Sequence, residues 1–225
     1  MKALVLLSGG LDSSTCLAIA VDKYGADNVV ALSVFYGQKH DKELFSAMKI
    51  ADYYDVQLKC IDLKPLFEGS GCSLLKQAEN EIPEESYAEQ LQKTDGKPVS
   101  TYVPFRNGLF LSVAASMAIV HDCQEIYYGA HADDAAGNAY PDCSTRFNSL
   151  MNDSVYVGSG QAVRIVAPFI DKNKSEVVRI GTELGVPYEL TWSCYKGGEK
   201  PCGKCGTCID RQKAFEANGL KDPLL

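Results

Sequence analysis

The chain has 225 residues, of which 46% are hydrophobic and 23% are charged, a composition that suits one globular domain with a small appendage. Its formal charge of -7 disfavours a phosphate backbone as the main partner, because such binding needs clustered Lys and Arg. No apolar run approaches the roughly 18 residues of a membrane span, and the run at 3–7 is too short for a signal peptide. We expect a cytoplasmic protein that acts on small molecules, without direct nucleic-acid or membrane partners.

Short apolar runs alternate with amphipathic stretches along the chain, which is typical of a parallel sheet covered by helices. The predicted strands are residues 3–7, 29–35, 57–63, 125–128 and 164–167. The predicted helices are residues 13–24, 41–54, 107–121 and 174–184, the last of them ended by Gly185. We predict a doubly wound, mostly parallel α/β fold.

Residues 64–100 interrupt this alternation. They contain Pro65, Gly69 and Gly71 and an acidic polar run, which indicates an insertion over the sheet edge whose charges form a solvated face. We expect residues 1–187 to form an α/β domain that carries this insertion. Residues 188–225 are expected to form a C-terminal metal-binding segment.

A glycine-rich loop follows the first predicted strand and opens the first helix. Residues 8–13 read Ser-Gly-Gly-Leu-Asp-Ser. Glycines let a backbone approach phosphate oxygens, and the free N–H groups at a helix start attract an anion. The loop has neither the Gly-Lys-Ser/Thr ending of a Walker loop nor Gly-x-Gly-x-x-Gly spacing. The alternative is a tight turn without a ligand, capped by Asp12 or Ser13.

These six residues resemble the pyrophosphate-binding loop of the PP-loop ATP-pyrophosphatase superfamily, whose members attack the α-phosphorus of ATP and release pyrophosphate. The resemblance makes residues 1–187 a PP-loop nucleotide-binding domain. In it, Asp12 helps to position magnesium-bound pyrophosphate, and the backbone of residues 33–35 receives adenine. The resemblance implies that ATP contacts the following residues: Ser8, Gly9, Gly10, Leu11, Asp12, Ser13, Ser14, Thr15, Cys16 and Leu17.

Four of the nine cysteines lie close together near the C-terminus, as Cys-x7-Cys-x2-Cys-x2-Cys. They are Cys194, Cys202, Cys205 and Cys208. Two residues between thiolates let successive sulfurs face one ion, and four protein thiolates favour zinc with no open coordination position. We predict one structural zinc per chain; an iron–sulfur cluster, a disulfide pair and scattered buried thiols are the alternatives. The odd number of cysteines suits a reducing compartment.

Four further segments indicate which family of the superfamily the sequence resembles. They are residues 36–40 (Tyr-Gly-Gln-Lys-His), 103–107 (Val-Pro-Phe-Arg-Asn), 140–143 (Tyr-Pro-Asp-Cys) and 190–195 (Leu-Thr-Trp-Ser-Cys-Tyr). With the loop and the cysteines, they resemble the QueC family of 7-cyano-7-deazaguanine synthases over residues 8–223, most weakly at 64–100. The resemblance implies a homodimeric enzyme of queuosine biosynthesis. It converts 7-carboxy-7-deazaguanine, ammonia from solution and two ATP into the nitrile preQ0.

The resemblance also implies roles for individual side chains. Lys174 matches a lysine that PP-loop enzymes place near the phosphates, and we expect it to stabilise charge on the α-phosphate. Arg106 is a candidate for phosphate or the substrate carboxylate, and with Asp12 these two form the predicted catalytic set. A surface cation at a helix start is the alternative for each. Phe105 and Trp192 are candidates to stack on the planar base, although an aromatic residue at such a position is more often core.

Residues 129–142 follow the fourth predicted strand and should lie beside the nucleotide. This stretch departs from the family pattern, which has Asn near His131, a single Asp and a shorter path to Tyr-Pro-Asp-Cys. We expect His131, Asp133 and Asp142 to bind substrate, with Asp134 as a further candidate for magnesium or the base. A loop histidine without a catalytic task and ordinary helix caps are the alternatives.

Three other functions compete with this interpretation. The first is a QueC-like enzyme that transfers the activated deazaguanine acid to a protein or another amine. The second is a PP-loop enzyme that acts directly on tRNA, which the acidic balance disfavours. The third is a zinc-ribbon binding module without enzymatic activity, which explains only the C-terminal residues.

Overall fold

The computed structural model describes residues 1–225 as a five-stranded parallel sheet with helices on both faces. The strands are β1 (Ala3–Leu6), β2 (Val29–Phe35), β3 (Gln57–Asp62), β4 (Glu125–Tyr127) and β5 (Arg164–Val166), in the order β3-β2-β1-β4-β5. The helices are α1 (Leu11–Tyr24), α2 (Lys42–Tyr53), α3 (Tyr87–Leu91), α4 (Arg106–Val120), α5 (Ala132–Ala135), α6 (Thr145–Gly158), α7 (Lys174–Glu183) and α8 (Gly206–Ala217). The chain leaves β1 in one direction for β2 and β3 and later crosses to β4 and β5. The predicted doubly wound α/β fold is confirmed.

Alternating side chains of β1 enter two separate cores, since successive residues of a strand face opposite sides of the sheet. Ala3 and Val5 join the core beneath α1, α2, α7 and α8, whereas Leu4 joins the core beneath α4 and α6. All three residues are 0% exposed. The central strand is therefore apolar throughout, as a parallel strand between two helical layers requires.

Sequence periodicity finds every strand but only part of the helical structure. Each strand begins at its predicted residue, and the ends differ by at most one residue. Helix α1 begins at Leu11 rather than at residue 13, because Gly10 is its N-cap. The sequence patterns do not reveal α6 or α8. Helix α6 is mostly polar and is started by Ser144, whose Oγ accepts the N–H of Phe147 at 3.1 Å.

The inserted residues 64–100 pack on the carboxyl end of the sheet and not only along its edge. Phe67 and Leu75 form a buried cluster with Tyr36, which follows β2. Leu74 and Tyr87 of the insertion also line the cleft described below. The insertion thus supplies a wall of the site as well as a solvated face.

A buried ion pair anchors the C-terminal residues. Arg211 of α8 lies 2.7 Å from Asp222, and their side chains are 3% and 2% exposed. Arg211 also donates to the Oγ1 of Thr191 at 2.7 Å and to the carbonyl oxygen of Tyr188 at 3.1 Å. These bonds fix the segment that leads into the first clustered cysteine, while α8 packs against α7.

None of the eight helices combines the length and the hydropathy that a bilayer crossing requires.

Candidate functional site

A cleft opens beyond the carboxyl ends of β1 and β4, the point where the strand order reverses and where open α/β sheets bind ligands. Its volume is about 1190 Å³ when the part open to solvent is included. Its loop side comprises residues 10–13 and 128–130 with Asp134 and Lys174. Its aromatic side comprises Tyr36, Tyr87, Arg106, Phe110, Tyr140 and Tyr195.

The β1–α1 loop presents backbone groups to the cleft. Gly9 has φ +83°, and a Cβ there would collide with the carbonyl oxygen of Glu43 in α2, so only glycine allows this approach. Gly10 is the N-cap of α1 and no side chain caps the helix. Ser13 Oγ accepts the N–H of Ser8 at 3.1 Å and donates to the Gly10 carbonyl at 3.2 Å. The loop is therefore not the side-chain-capped turn of the alternative prediction, and the positive end of α1 faces the cleft.

The predicted ATP-contacting segment divides between the cleft and the core. Its first part lines the cleft, whereas Ser14, Thr15, Cys16 and Leu17 are each 0% exposed and do not line it. Thr15 Oγ1 donates to the carbonyl of Leu11 at 2.9 Å, as an interior helical threonine does. These four residues support the loop from behind.

Asp12, Lys174 and His131 come together from three separate segments. Lys174 Nζ lies 3.2 Å from Asp12 Oδ2 and 3.3 Å from His131 Nε2, and the latter atom lies 3.4 Å from Asp134 Oδ2. Burial lowers the pKa of Lys174, but the carboxylates of Asp12, Asp134 and Asp210 outweigh it and raise the value to about 12. Burial raises the pKa of Asp12, and Lys174 and His131 together bring it below its ordinary value. The cluster therefore presents a charged lysine and an ionised aspartate at the loop.

Asp133 and Asp142 have a different setting from the one predicted for substrate ligands. Asp133 Oδ2 accepts the backbone N–H of Lys174 at 2.8 Å, and Asp142 Oδ2 accepts that of Asn107 at 2.8 Å. Neither residue is among those lining the cleft. Each carboxylate satisfies an N–H in the first turn of a helix, α7 or α4, which is the helix-cap alternative. They hold in place the helix starts that carry Lys174 and Arg106.

Arg106 stands at the start of α4 and points into the aromatic side. Its Nη1 donates to the hydroxyl of Tyr36 at 3.3 Å, and its guanidinium lies 5.3 Å from the Tyr36 ring centroid and 5.9 Å from that of Phe110. Burial lowers the pKa of Arg106, but the nearby Tyr36 and Asp142 outweigh it and raise it, so the cation stays charged. Lys174 and Arg106 thus face one cleft from its two sides.

Several residues of the aromatic side are absent from the sequence predictions. The hydroxyls of Tyr87 and Tyr195 are 2.6 Å apart and join the insertion to the C-terminal segment. Glu43, in the first turn of α2, also lines the cleft, and burial raises the pKa of its carboxyl to about 7 in spite of Arg106. No local pattern marks Tyr87 or Glu43, and although Tyr195 ends the family segment 190–195, its place in the cleft comes only from the tertiary fold.

The two aromatic residues predicted to stack on the base have different surroundings. Phe105 is 59% exposed, packs edge-on against Phe147 and does not line the cleft. Its backbone is left-handed, at φ 52°, and directly precedes α4. Trp192 is 7% exposed and lines the cleft beside the loop. Of the two, only Trp192 is placed to touch a bound molecule.

The clustered cysteines form a compact set of sulfur donors. The four Sγ atoms lie within 4.8 Å of one another, and three of the residues are buried. Cys202 Sγ accepts the N–H of Cys205 at 3.3 Å, and Cys194 Sγ accepts the N–H of Cys202 at 3.3 Å. Gly203, at φ +69°, allows the tight turn between the second and third cysteines. Four converging thiols with N–H donors fit a metal ion bound by thiolates.

A direct hydrogen bond links the cysteine segment to the nucleotide loop. The N–H of Trp192 donates to the carbonyl of Gly9 at 2.9 Å. The indole Nε1 of Trp192 donates to the carbonyl of Cys194 at 2.8 Å, so the ring is fixed against the first cysteine. The geometry of the loop therefore depends on the segment that the cysteines organise.

A parallel sheet with an uncapped Ser-Gly-Gly loop at its reversal point, and without a Walker lysine, defines a PP-loop nucleotide-binding protein. Two solved structures support the fold. NMN synthetase from Francisella tularensis is 17% identical with a TM-score of 0.53, over 98% of this chain and 78% of that one. The NH3-dependent NAD synthetase from Campylobacter jejuni is 14% identical with a TM-score of 0.50, over 84% of this chain and 66% of that one.

The model of the family described as queuosine biosynthesis protein QueC matches residues 2–219, and the chain belongs to this family. Two relatives named 7-cyano-7-deazaguanine synthase are similar to this chain over its whole length. That of Archaeoglobus fulgidus is 45% identical over 100% of this chain and 90% of the relative. That of Caldicellulosiruptor saccharolyticus is 43% identical over 100% of this chain and 95% of the relative. The resemblance found in the sequence motifs is confirmed.

Proposed function

We propose that the chain is a 7-cyano-7-deazaguanine synthase, an ATP-dependent ligase that forms carbon–nitrogen bonds in queuosine biosynthesis. The full-length similarity to synthases of that name carries the proposal, because it covers both sides of the cleft and the cysteine segment. The substrates are 7-carboxy-7-deazaguanine, ammonia and ATP. The single cleft, with a phosphate loop on one side and aromatic residues on the other, suits a nucleotide that reacts with a planar acid.

The chemistry requires two rounds of adenylation at one loop. The substrate carboxylate attacks the α-phosphorus of ATP, releases pyrophosphate and gives an acyl-adenylate. Ammonia displaces AMP to give the amide. The amide oxygen then attacks the α-phosphorus of a second ATP and releases pyrophosphate, and loss of AMP and of the two amide N–H protons gives the nitrile. Positioning and charge stabilisation by the protein account for the acceleration of both rounds.

The side chains of the cleft take the following roles in the proposal. Lys174 stabilises charge on the α-phosphate, and Arg106 holds the substrate carboxylate. Asp12 helps to bind magnesium-bound pyrophosphate; its buried Oδ1 has no hydrogen-bond partner, which suits a cation ligand. His131 orients Asp12 and Lys174 from behind, since its Nε2 lies 3.3 Å from Lys174 Nζ and 3.9 Å from Asp12 Oδ1. Magnesium would neutralise charge on the phosphates when bound.

Asp133 and Asp142 act on substrate binding through the helices whose first N–H groups they accept. The four thiolates hold one structural zinc, which suits a donor set without an open position. The zinc identity rests on ligand chemistry, since four thiolates exclude magnesium and calcium. The domain boundary near residue 187 follows the same division, between the sheet and the segment that the zinc organises.

The proposal also covers the cellular compartment and the oligomeric state of the protein. None of the nine cysteines is in a disulfide bond, which suits the reducing cytoplasm. A homodimer, as in the family, would cover apolar residues such as Val120, Leu150 and Val157, which are 76%, 60% and 73% exposed. Sedimentation of the purified protein tests this state, and a concentration-independent monomer contradicts it.

One incubation tests the function. The protein is mixed with ATP, ammonium and 7-carboxy-7-deazaguanine, and the products are followed by mass spectrometry. We expect the nitrile and two AMP for each nitrile formed. ATP cleavage dependent on the acid but without amide or nitrile would instead indicate transfer to another amine, and no acid-dependent cleavage would reject both activities.

A further inference from the structure

The aromatic side of the cleft carries two charges that do not neutralise each other. Arg106 is hydrogen-bonded to Tyr36 and lies against two aromatic rings. Glu43 lines the same cavity from the first turn of α2. No cation lies within 4.0 Å of its carboxylate, and no group of the protein donates a hydrogen bond to it. The cavity therefore has an unpaired carboxylate on one wall and a guanidinium on another.

The fold holds Glu43 in this position through its backbone. The carbonyl oxygen of Glu43 packs directly on Gly9, which fixes the start of α2 against the nucleotide loop. The side chain is half-buried, and burial raises its pKa to about 7 although Arg106 acts in the opposite direction. Burial of a carboxylate without donors is unfavourable. A ligand that brings two N–H donors would recover much of that free energy.

The proposed substrate has such a pair of donors. A 7-deazaguanine has a ring N1–H next to a 2-amino group, and two parallel N–H groups match the two oxygens of one carboxylate. Its O6 acceptor is next to N1–H on the side away from the 2-amino group and faces the 7-carboxylate, so these two form the neighbouring edge of the ring system, where a guanidinium is the matching donor. Its flat faces suit walls made of tyrosine rings. The carboxylate, the guanidinium and the tyrosine rings of this side thus match the N–H donors, the acceptors and the flat faces of the ligand, respectively.

We propose that Glu43 is a specificity-determining residue that binds the guanine-like edge of the substrate, accepting hydrogen bonds from N1–H and the 2-amino group. This inference rests on the proposed function. It assigns Arg106 to the neighbouring edge, towards O6 and the 7-carboxylate. It also accounts for the selection of a guanine-like acid over other planar acids that the loop could adenylate equally well.

A substrate analogue that lacks the 2-amino group, 7-carboxy-7-deazahypoxanthine, tests the contact. The first adenylation is followed alone, as acid-dependent exchange of pyrophosphate into ATP without ammonia, for the wild type and for Glu43→Gln. We expect the analogue to reduce the wild-type kcat/KM by about 10- to 100-fold. In Glu43→Gln, the KM for the natural acid should rise by a similar factor while kcat and the KM for ATP change by less than about 3-fold. The penalty for the analogue should shrink to less than about 3-fold in the variant.

Glu68→Gln is the matched control, because Glu68 is exposed in the insertion and should keep the wild-type values. An equal analogue penalty in the wild type and Glu43→Gln would overturn the inference, as would a fall in the kcat of pyrophosphate exchange at unchanged KM for the acid, which indicates a role in the adenylation step rather than in binding the acid. If Glu43→Gln does not fold, a wild type that uses the analogue as well as the natural acid overturns the inference by itself. Failure of the proposed function is distinct, because the wild type would then form no nitrile from the natural acid.

Discussion

The two sides of the cleft are built in different ways. The loop side consists of backbone at the carboxyl ends of β1 and β4, with Lys174 at the start of α7. The aromatic side consists of side chains from the insertion, the start of α4 and the C-terminal segment, which meet only in the folded protein. The comparison shows how a sheet can keep a general phosphate site while irregular segments around it determine the substrate.

Loss of the Arg211–Asp222 ion pair should have the largest effect of the four changes in free energy. The pair anchors the C-terminal segment, which contributes to the aromatic side of the cleft. Arg211→Met removes one partner of a buried ion pair and leaves Asp222 uncompensated. We expect the free energy of unfolding to fall by about 3–5 kcal/mol, measured by denaturant titration. Arg179→Met is the matched control, because the Arg179–Glu183 pair is exposed and should contribute less than about 0.5 kcal/mol. Equal losses of unfolding free energy in the two variants would show that the buried Arg211–Asp222 pair does not anchor the C-terminal segment.

Lys174→Ala should separate activity from stability on the loop side. We expect turnover to fall by about 100- to 1000-fold, because a cation aimed at the reacting phosphate is lost. Stability should change much less, since the Asp12 side chain is already 23% exposed and can be hydrated. Steady-state kinetics and thermal unfolding give the two values. Lys172→Ala, at a surface pair on the same connection, should leave both unchanged, and unchanged turnover in Lys174→Ala would remove the lysine from the mechanism.

Metal removal tests whether the two sides are coupled. Elemental analysis should find about one zinc per chain, and a chelator or Cys205→Ser should release it. Because Trp192 connects this segment to Gly9, we expect ATP affinity to fall by about 10-fold, a value that corresponds to roughly one charge-assisted or two neutral hydrogen bonds. Cys60→Ser, at an exposed thiol remote from the cluster, should retain metal and affinity. Full ATP affinity in the metal-free protein would mean that ATP binding at the loop side does not depend on the C-terminal segment.

The smallest effect is expected where the insertion meets the C-terminal segment. Tyr87→Phe removes the hydroxyl that lies 2.6 Å from that of Tyr195. We expect the KM for the acid to rise by about 3- to 10-fold, with the KM for ATP unchanged, since one hydrogen bond of about 1 kcal/mol is lost from the aromatic side only. Tyr156→Phe, which loses a 3.5 Å contact on the surface, is the control. A matching rise in the KM for ATP would indicate that the change spreads to the loop.

The sequence predicts the loop side much better than the aromatic side. The parallel strands, the loop at residues 8–13 and the four cysteines are readable because each depends on local spacing or on residues next to a strand, whereas Lys174 is predicted from the family resemblance alone. The partners of Asp133 and Asp142 are not readable, because both are N–H groups of helices distant in sequence. The same holds for Glu43 and Tyr87, which reach the cleft only when α2 and the insertion pack on the sheet.

The hydrogen bond from Trp192 to Gly9 also has a consequence for synthesis on the ribosome. The nucleotide loop is synthesised well before Trp192, which fixes it, and before the cysteines that hold Trp192 in place. The central strands can pair while the chain is still growing, since domains fold from the N-terminal side during translation. A chain that lacks residue 192 and the cysteines would therefore still form the central strands, but its nucleotide loop would lose this hydrogen bond and would bind ATP more weakly.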